Sequence, residues 1–521
     1  MDEKMPKKSV AERNETGKGS GKELKKEIKK NDTFELVIED MSEDGAGVGR
    51  LDGYIWFVKD AVIGDRIEAS AMKMKKSYGF ARLVKVIEPS GARVEARCPV
   101  ARQCGGCQLQ ALSYEEQLRF KERKVYNHLK RIGGLEKLRL PETESCGEKE
   151  AGISRNTAFA AVASGKDPAA AAGRDSQFIT MEPIIGMENP WRYRNKAQFP
   201  FGRDKDGRII TGFYAGRTHC IIENEDCLLG VEENRKILET IKAVMEEEAI
   251  TPYDEAAHSG VIRHALIRKG FASGELMVCL VINQRKLPSA GRFVEELRKI
   301  PGMASISYSI NQEKTNVIMG SEIVNLYGPG YITDTIGSVA YRISPLSFYQ
   351  VNPLQTRRLY ETALEYAGLE GDETVWDLYC GIGTISLFLA QKAKQVYGVE
   401  IIPQAIDDAR ENARLNGMEN VKFFVGKAEE VLPEQYEKEK IYADVIVVDP
   451  PRKGCDPICL DTIVKMQPKR VVYVSCDSAT LARDVKYLGE YGYEVKRVRC
   501  CDMFSMSGHV ETVALLTKKA Q

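Results

Sequence analysis

A cysteine at the end of a predicted strand is the residue best placed for covalent chemistry. Residues 471–474 are apolar or β-branched and lead into Ser475-Cys476-Asp477, after which Ser478 is expected to cap a helix. This pattern predicts a buried parallel strand, a short turn and a helix. In open α/β sheets, ligands bind beyond the carboxyl ends of the strands. An isolated cysteine is more often a buried structural thiol, but the neighbouring motifs favour a nucleophile here.

A glycine turn followed by an acidic residue predicts a site for an adenosine-containing ligand. Gly381 lies in a glycine turn after a predicted strand that begins at Thr374, and Glu400 ends the next strand, where a carboxylate can accept hydrogen bonds from both ribose hydroxyls. An NAD site requires a third glycine, and this chain has Ser386 in its place. S-adenosylmethionine carries no phosphate groups, so its site does not need the glycine-rich phosphate loop of an NAD site. Asp377 could face its charged methionine part. The motif therefore favours S-adenosylmethionine over NAD.

A third strand of the same region also ends in a candidate site residue. The buried run 443–448 leads into Asp449-Pro450-Pro451, and the two prolines fix the backbone around the carboxylate. Because the carboxyl ends of parallel strands meet at one edge of a sheet, these residues are expected to share one site. The succession of strand, turn and helix patterns predicts a Rossmann-like α/β domain over 336–521.

A separate group of cysteines predicts a metal site. Cys98 precedes Cys104-Gly-Gly-Cys107, in which the glycines let two thiolates point into one site. Zinc and an iron–sulfur cluster would both fit three thiolates, and each needs a fourth ligand. Candidates for that fourth ligand are Cys146, Cys220 and Cys227.

The elements around these motifs indicate a multidomain chain. With 521 residues, the chain is long enough for roughly three domains. Four short predicted strands within 31–90, with a glycine-rich connection at 45–53, indicate an oligonucleotide-binding type of β-barrel. An α+β central domain is expected over 91–335. Two segments lack the apolar residues of a core and are expected to be disordered or flexible: a tail at 1–30 and an insertion at 141–182.

Composition excludes some classes of protein. No apolar run is long enough to cross a membrane, and the charged N-terminus lacks the apolar core of a signal peptide. We therefore expect a cytoplasmic protein, in which 13 cysteines favour metal binding or catalysis over disulfides. The formal net charge is zero, so a nucleic-acid surface must be a local basic face.

Two segments are candidates for such a face. The predicted amphipathic helix 113–132, capped by Ser113, carries many cations, including Lys121 and Lys124. The stretch 188–217 interleaves Lys and Arg with aromatic residues, a combination that single-stranded RNA recognition uses. A solvated helix and a sheet with an aromatic core are the respective alternatives. The aromatic residues are Trp191, Tyr193, Phe199, Phe201, Phe213 and Tyr214.

Taken together and in order, these motifs resemble the TRAM-domain, iron–sulfur RNA (uracil-5-)-methyltransferase family, in its ribosomal-RNA (23S rRNA) branch. The resemblance implies that Cys476 is the nucleophile and that Glu511, in Gly508-His-Val-Glu-Thr-Val, is the general base. It implies S-adenosyl-L-methionine as methyl donor and a [4Fe-4S] cluster on Cys98, Cys104, Cys107 and Cys227. The donor-site residues that it implies are Gln350, Tyr379, Gly381, Glu400 and Asp449.

The implied function is methylation of uridine carbon 5 in RNA by a chain expected to be a monomer. The cluster and barrel together favour ribosomal RNA, with transfer RNA as the alternative. A second alternative is an RNA amino-methyltransferase that polarises an exocyclic amine with Asp449-Pro450-Pro451 and has no need of Cys476. A third is an RNA-binding protein with a degenerate enzyme domain.

Overall fold

The computed structural model of the chain describes residues 28–141, 178–216 and 218–519. The tail predicted at 1–30 and the insertion predicted at 141–182 lie almost wholly outside the described residues. Cys146, one of the candidate metal ligands, lies outside them as well. Within the described ranges, no helix combines the length and the hydropathy needed to cross a lipid bilayer.

The N-terminal strands form a closed barrel, as the sequence predicted. Its strand order is β1-β2-β3-β5-β4, and alternate residues such as Ile38 and Trp56 point into its core. One prediction was wrong: the expected glycine-rich connection contains β2. Its glycines are needed for packing, since a Cβ on Gly49 would lie 2.4 Å from the carbonyl oxygen of Val37. The strands are β1 (Thr33–Met41), β2 (Gly47–Leu51), β3 (Tyr54–Lys59), β4 (Arg66–Met74) and β5 (Tyr78–Glu88).

The segment after the barrel packs against the C-terminal domain. The hydroxyl of Ser113 caps the first helix by accepting a hydrogen bond from the Glu116 amide at 3.4 Å. Val125 and Leu129 of that helix join the C-terminal core, so this part of the predicted central domain 91–335 does not pack with the central sheet. The elements are α1 (Tyr114–Arg131), β6 (Leu138–Arg139), β7 (Ile179–Thr180) and β8 (Glu182–Ile185).

A buried ion pair fixes α1 to the loop that precedes the last strand. Lys121 and Asp502 are both fully buried, with Nζ and Oδ1 2.5 Å apart. Tyr114 donates a hydrogen bond to the same carboxylate at 2.8 Å, and Lys121 donates another to the Phe504 carbonyl at 2.9 Å. Lys121 therefore belongs neither to a solvated face nor to an RNA-facing one.

Replacing Lys121 with methionine should destabilise the fold by about 3–5 kcal/mol, because Asp502 would be left buried without its partner. Urea-induced unfolding followed by circular dichroism measures the loss. Lys130→Met makes the same replacement on the same helix at a half-buried position, where the ammonium donates to the Tyr126 hydroxyl and not to a buried carboxylate, and should have little effect. Equal midpoints for the two variants would show that the buried pair does not hold α1 in place.

The central sheet has seven strands in the order β11-β10-β9-β12-β13-β14-β15, with two helices against one face. Phe199 and Phe201 are core residues of this sheet, so for these two rings the alternative of an aromatic core holds. The elements are β9 (Lys196–Arg203), β10 (Ile209–Tyr214), β11 (Ile221–Glu223), α2 (Glu233–Glu247), β12 (Ile262–Lys269), β13 (Leu276–Ile282), α3 (Ala290–Leu297), β14 (Met303–Ile310) and β15 (Glu322–Tyr327).

The hairpin of β16 (Ile332–Ile336) and β17 (Val339–Ile343) leads into the C-terminal α/β domain. The elements of that domain are α4 (Pro353–Ala367), β18 (Thr374–Leu378), α5 (Thr384–Ala390), β19 (Gln395–Glu400), α6 (Pro403–Leu415), β20 (Val421–Val425), α7 (Ala428–Glu437), β21 (Val445–Val448), α8 (Pro457–Met466), β22 (Arg470–Ser475), α9 (Ser478–Glu490), β23 (Tyr493–Cys501) and β24 (Glu511–Lys518).

The C-terminal sheet has the predicted Rossmann-like architecture. Its order is β20-β19-β18-β21-β22-β24-β23-β8, and the five strands from β18 to β22 are parallel. The chain passes from β18 through β19 to β20 and then returns to the other side of β18 as β21. Such a reversal opens a crevice at the carboxyl ends of the strands, where ligands of α/β sheets bind.

Candidate active site

Cys476 follows β22 directly and precedes α9. The cap of α9 is Asp477, whose Oδ1 accepts hydrogen bonds from the amides of Ala479 at 3.0 Å and Thr480 at 3.1 Å. The predicted cap, Ser478, is instead the first residue of the helix. The turn is therefore one residue shorter than predicted, and its cap fixes the backbone beside the thiol.

Glu511 lies beside Cys476 because β24 is inserted antiparallel next to β22. Ser475 pairs with Thr512 across the two strands, so the residues that flank this pair, Cys476 and Glu511, come to the same edge of the sheet. The Glu511 side chain is buried, with 3% of the residue exposed. Burial and, second, the charge of Asp449 raise the pKa of Glu511 to about 8, against an opposing effect of Arg452. A carboxyl with such a pKa can act as a base near neutral pH.

Three acidic groups share this site. Burial raises the pKa of Asp449 to about 7. Burial, followed by the charges of Glu511 and Asp449, raises the pKa of the Cys476 thiol to about 11. Groups this close do not ionise independently. The thiol is therefore neutral in the protein without RNA and must lose its proton when it reacts.

Arg452 is a residue of this site that the sequence analysis missed. It follows Asp449-Pro450-Pro451 and lines the same cleft as Cys476, a cavity of about 350 Å³. Its charge lowers the pKa of both Cys476 and Glu511. The sequence contained one signal for Arg452, namely its position directly after an Asp-Pro-Pro turn at the end of a strand.

The predicted donor loop lies between β18 and α5. Tyr379 and Gly381 adopt positive φ angles of 69° and 56°, which turn the chain sharply at the end of β18. The Glu400 carboxylate lies against this loop and accepts hydrogen bonds from the amides of Gly381 at 3.3 Å and Ile402 at 3.0 Å. This arrangement holds Glu400 at the crevice, where a ribose would meet it.

Asp377 provides a test of whether this crevice suits a cationic ligand. The side chain is fully buried and accepts a hydrogen bond from Ser386, the residue that replaces the third glycine of an NAD motif. Its other oxygen, Oδ1, has no partner among the described residues. Burial raises the pKa of Asp377 to about 7. A buried carboxyl beside the loop, with one oxygen that has no hydrogen-bond partner among the described residues, fits a positively charged methyl donor.

Tyr379 and Gln350 were also predicted to contact the methyl donor, and the structure gives their side chains other surroundings. The phenol of Tyr379 contacts the Cys459 thiol of α8, so its backbone shapes the loop while its side chain packs elsewhere. Gln350 is buried between β17 and α4, and its carbonyl accepts a hydrogen bond from Asn195 at 3.0 Å. Contact of either residue with the donor stays a prediction.

The four predicted metal ligands line one cavity of about 270 Å³. Cys98, Cys104 and Cys107 come from the segment before α1, and Cys227 comes from the loop between β11 and α2. Burial raises the pKa of the first three thiols, that of Cys107 to about 12, and the nearby Cys227 adds to each shift. Cys220, the other described candidate, is exposed.

The lining of this cavity is rich in thiols, which are ligands for soft metals and iron–sulfur clusters. Within the parts of the chain that the structure describes, no three His, Cys, Asp or Glu side chains are close enough to hold one metal ion. The thiolates of an iron–sulfur cluster are farther apart, since each binds a different iron atom. Arg194 and Lys196 line the same cavity and would offset the negative charge of a thiolate-bound cluster. The donor set therefore fits such a group.

Comparisons with known proteins agree with this geometry. The sequence matches the TRAM domain over residues 28–84 and the family described as tRNA (Uracil-5-)-methyltransferase over residues 330–519. An uncharacterized RNA methyltransferase of Halalkalibacterium halodurans is 48% identical over 493 residues, which cover 94% of this chain and 98% of that protein. Another, from Clostridium tetani, is 44% identical and covers 95% of this chain and 98% of its own length.

A solved structure extends the likeness to nearly the whole fold. The tRNA (uracil-54, C5)-methyltransferase of Pyrococcus abyssi, in complex with S-adenosyl-L-homocysteine, superposes with a TM-score of 0.69 at 26% identity. The match covers 93% of this chain and 100% of that one. This chain therefore belongs to the TRAM-containing RNA (uracil-5-)-methyltransferases, enzymes that take their methyl group from S-adenosylmethionine.

Proposed function

We propose that this enzyme methylates carbon 5 of a uridine in ribosomal RNA, with Cys476 as nucleophile and Glu511 as general base. The observation that carries the proposal is the placement of these two side chains on neighbouring strands at the edge where the donor crevice opens. The proposal thus has a thiol, a base and a methyl-donor site at the same edge of the sheet. Uracil C5-methylation needs these groups because carbon 5 is a poor nucleophile on its own.

The proposed reaction begins when the Cys476 thiol releases its proton to solvent and the resulting thiolate adds to carbon 6 of the uracil. The ring becomes an enolate, and its carbon 5 attacks the methyl group that S-adenosylmethionine supplies. Glu511 then takes the proton from carbon 5, the carbon 5–carbon 6 double bond re-forms, and the thiolate leaves. The target base must leave its stack to enter the cleft of about 350 Å³.

The choice of ribosomal RNA rests on the combination of a TRAM barrel with the four-cysteine cavity, which resembles the ribosomal-RNA branch of the family. Transfer RNA is a second candidate, because the Pyrococcus abyssi protein, whose whole length matches this chain, is named for transfer RNA. Both substrates present a uridine that can be extruded from a loop.

Methyl incorporation into unmodified RNAs tests the proposal. Purified enzyme and S-adenosylmethionine labelled in the methyl group are incubated with transcripts of 23S ribosomal RNA domains and of transfer RNAs. We expect 5-methyluridine, identified by mass spectrometry of nucleosides, in the ribosomal transcripts. 5-Methyluridine in transfer RNA alone would contradict the substrate proposal, and a product methylated on an exocyclic amine would contradict the chemistry.

We also propose that Cys98, Cys104, Cys107 and Cys227 hold a [4Fe-4S] cluster, as the shared cavity supports. Such a group would cross-link the segment before α1 to the loop after β11, since its ligands come from both. Arg192 would help to position the loop, because it donates hydrogen bonds to the Cys227 carbonyl at 3.0 Å and to Asp226 at 2.6 Å.

Cys227→Ala should lose most bound iron and the visible absorption of the cluster when the protein is purified without oxygen. Cys220→Ala is the matched control: it removes an exposed thiol from the same part of the chain and should keep both signals. Metal analysis and absorption spectra give the result. Equal iron in the two variants, or zinc in the wild-type protein, would contradict the cluster.

A further inference from the structure

A carboxylate lies between a lysine and a histidine side chain at the catalytic cleft. Lys124 and His128 of α1 line the cleft that contains Cys476, and Glu43 reaches it from the turn between β1 and β2. One oxygen of Glu43 lies 2.9 Å from His128 Nε2, and the other lies 3.6 Å from Lys124 Nζ. A carboxylate from the barrel thus occupies a site for an anion beside the nucleophile.

The lysine and histidine side chains are fixed in place, whereas the carboxylate is accessible to solvent. The side chains of Lys124 and His128 are 17% and 15% exposed, against 66% for Glu43. His128 Nδ1 lies 2.8 Å from the hydroxyl of Ser478 at the start of α9, and Lys124 also donates to the Gly508 carbonyl at 3.3 Å. A competing anion can therefore displace Glu43 without rearranging its partners.

We propose that Lys124 and His128 bind a backbone phosphate of the substrate RNA next to the target uridine, and that Glu43 occupies this phosphate site until RNA arrives. The inference rests on the proposed function, since it takes the cleft to be the entrance for an extruded base. The phosphates that flank such a base must pass along the rim of its pocket. Arg452, which lines the same cleft, supplies a further positive charge.

The barrel turn does not depend on this ion pair for its position. A Cβ on Gly508 would lie 2.3 Å from the Glu43 carbonyl oxygen, and one on Gly45 would lie 2.8 Å from Gln108 Cβ. The backbone of the turn is therefore packed closely against two neighbouring segments. Replacing the Glu43 carboxylate changes the charge at the cleft and leaves this backbone contact in place.

Equilibrium binding of a fluorescent ribosomal-RNA fragment, measured by anisotropy at several salt concentrations without methyl donor, tests the inference. Glu43→Gln should bind RNA about two- to fivefold more tightly, since RNA no longer competes with an exposed carboxylate. Lys124→Met should weaken binding about fivefold and reduce the slope of log affinity against log salt by about one phosphate contact.

Two variants provide matched controls. Glu39→Gln removes the same charge from the barrel, where Glu39 pairs with Arg50 at 3.7 Å, and Lys130→Met removes a cation from α1 outside the cleft. Both should behave as wild type. Equal affinities for Glu43→Gln and Glu39→Gln, or an unchanged salt slope in Lys124→Met, would overturn the phosphate site and leave the proposed chemistry standing. Failure of the wild-type enzyme to bind either ribosomal or transfer RNA would overturn both proposals.

Discussion

Cys476→Ala is expected to lower methyl transfer to RNA by about 10⁴-fold or more, because Cys476 is the one thiol among the described residues that line the cleft. The reaction is best followed with a 5-fluorouridine-substituted RNA fragment and S-adenosylmethionine on a denaturing gel. Fluorine cannot leave carbon 5 as a proton does, so the covalent adduct should persist in the wild-type enzyme. The variant should show no shifted band.

Cys220→Ala is the control for loss of a thiol elsewhere, and it should still form the adduct. Calorimetric binding of S-adenosylmethionine to Cys476→Ala should match wild type, since the thiol lies after β22 and the donor loop follows β18. A shifted band in Cys476→Ala would assign the nucleophile to another residue. Methylation without any adduct in the wild-type enzyme would favour an amino-methyltransferase that uses Asp449.

The state of the thiol gives this prediction a second readout. The pKa of Cys476 is raised to about 11 in the protein without RNA, so only about one thiol in a thousand is ionised at pH 8. Alkylation of Cys476 by iodoacetamide, located by mass spectrometry, should therefore be slow at pH 8 and speed up as the pH rises. Rapid alkylation at pH 7 would show that the thiolate already exists before RNA binds.

Individual strands and their ends were predictable from sequence because their patterns are local. The apolar runs before Gly381, Asp449 and Cys476 each predicted a strand ending at a site, and β18, β21 and β22 lie side by side. The neighbour of β22 could not be predicted in the same way. β24 enters the sheet antiparallel between β22 and β23, and residue patterns carry no information about strand order. The role of Glu511 is therefore predicted only through the family resemblance.

Residues whose surroundings come from distant segments were predicted least well. Lys121 has the spacing of a surface cation, but its partner Asp502 lies in a loop more than 380 positions away along the chain. Phe199 resembles a base-stacking residue in sequence and is buried by α2 and α3. Strand β2 contains two glycines, which disfavour strands in general, yet the barrel needs them for close packing.

Glu511→Gln is expected to slow turnover by about 10²–10⁴-fold while leaving addition of Cys476 and methyl transfer possible. Without a base, the carbon 5 proton stays and the thiolate cannot be eliminated. The variant should therefore accumulate a methylated covalent adduct with ordinary uridine-containing RNA, visible on a denaturing gel without fluorine substitution. Glu494→Gln, a change at a half-buried position on β23 where the carboxylate pairs with Lys496, is the control and should turn over as wild type.

The pKa of Glu511 predicts the direction of the pH dependence. The carboxylate is the active form of a base, so kcat/KM of the wild-type enzyme should rise as the pH approaches about 8, the value to which burial raises this pKa. The stability effect has the opposite sign. Because the folded-state pKa lies above the ordinary value of 4.5, ionisation of Glu511 destabilises the fold progressively as the pH rises from about 4.5 to about 8.

Glu511→Gln removes that buried charge, so its thermal midpoint at pH 9 should equal or exceed that of the wild-type enzyme. Comparing the two thermal midpoints separates the loss of a base from a loss of folding, because the inactive variant is expected to be at least as stable as the wild-type enzyme. A variant that unfolds earlier than wild type at pH 9 would show that Glu511 is a structural carboxylate. A stable variant that turns over at the wild-type rate would assign proton removal to another group at the cleft, of which His509 is the nearest in sequence.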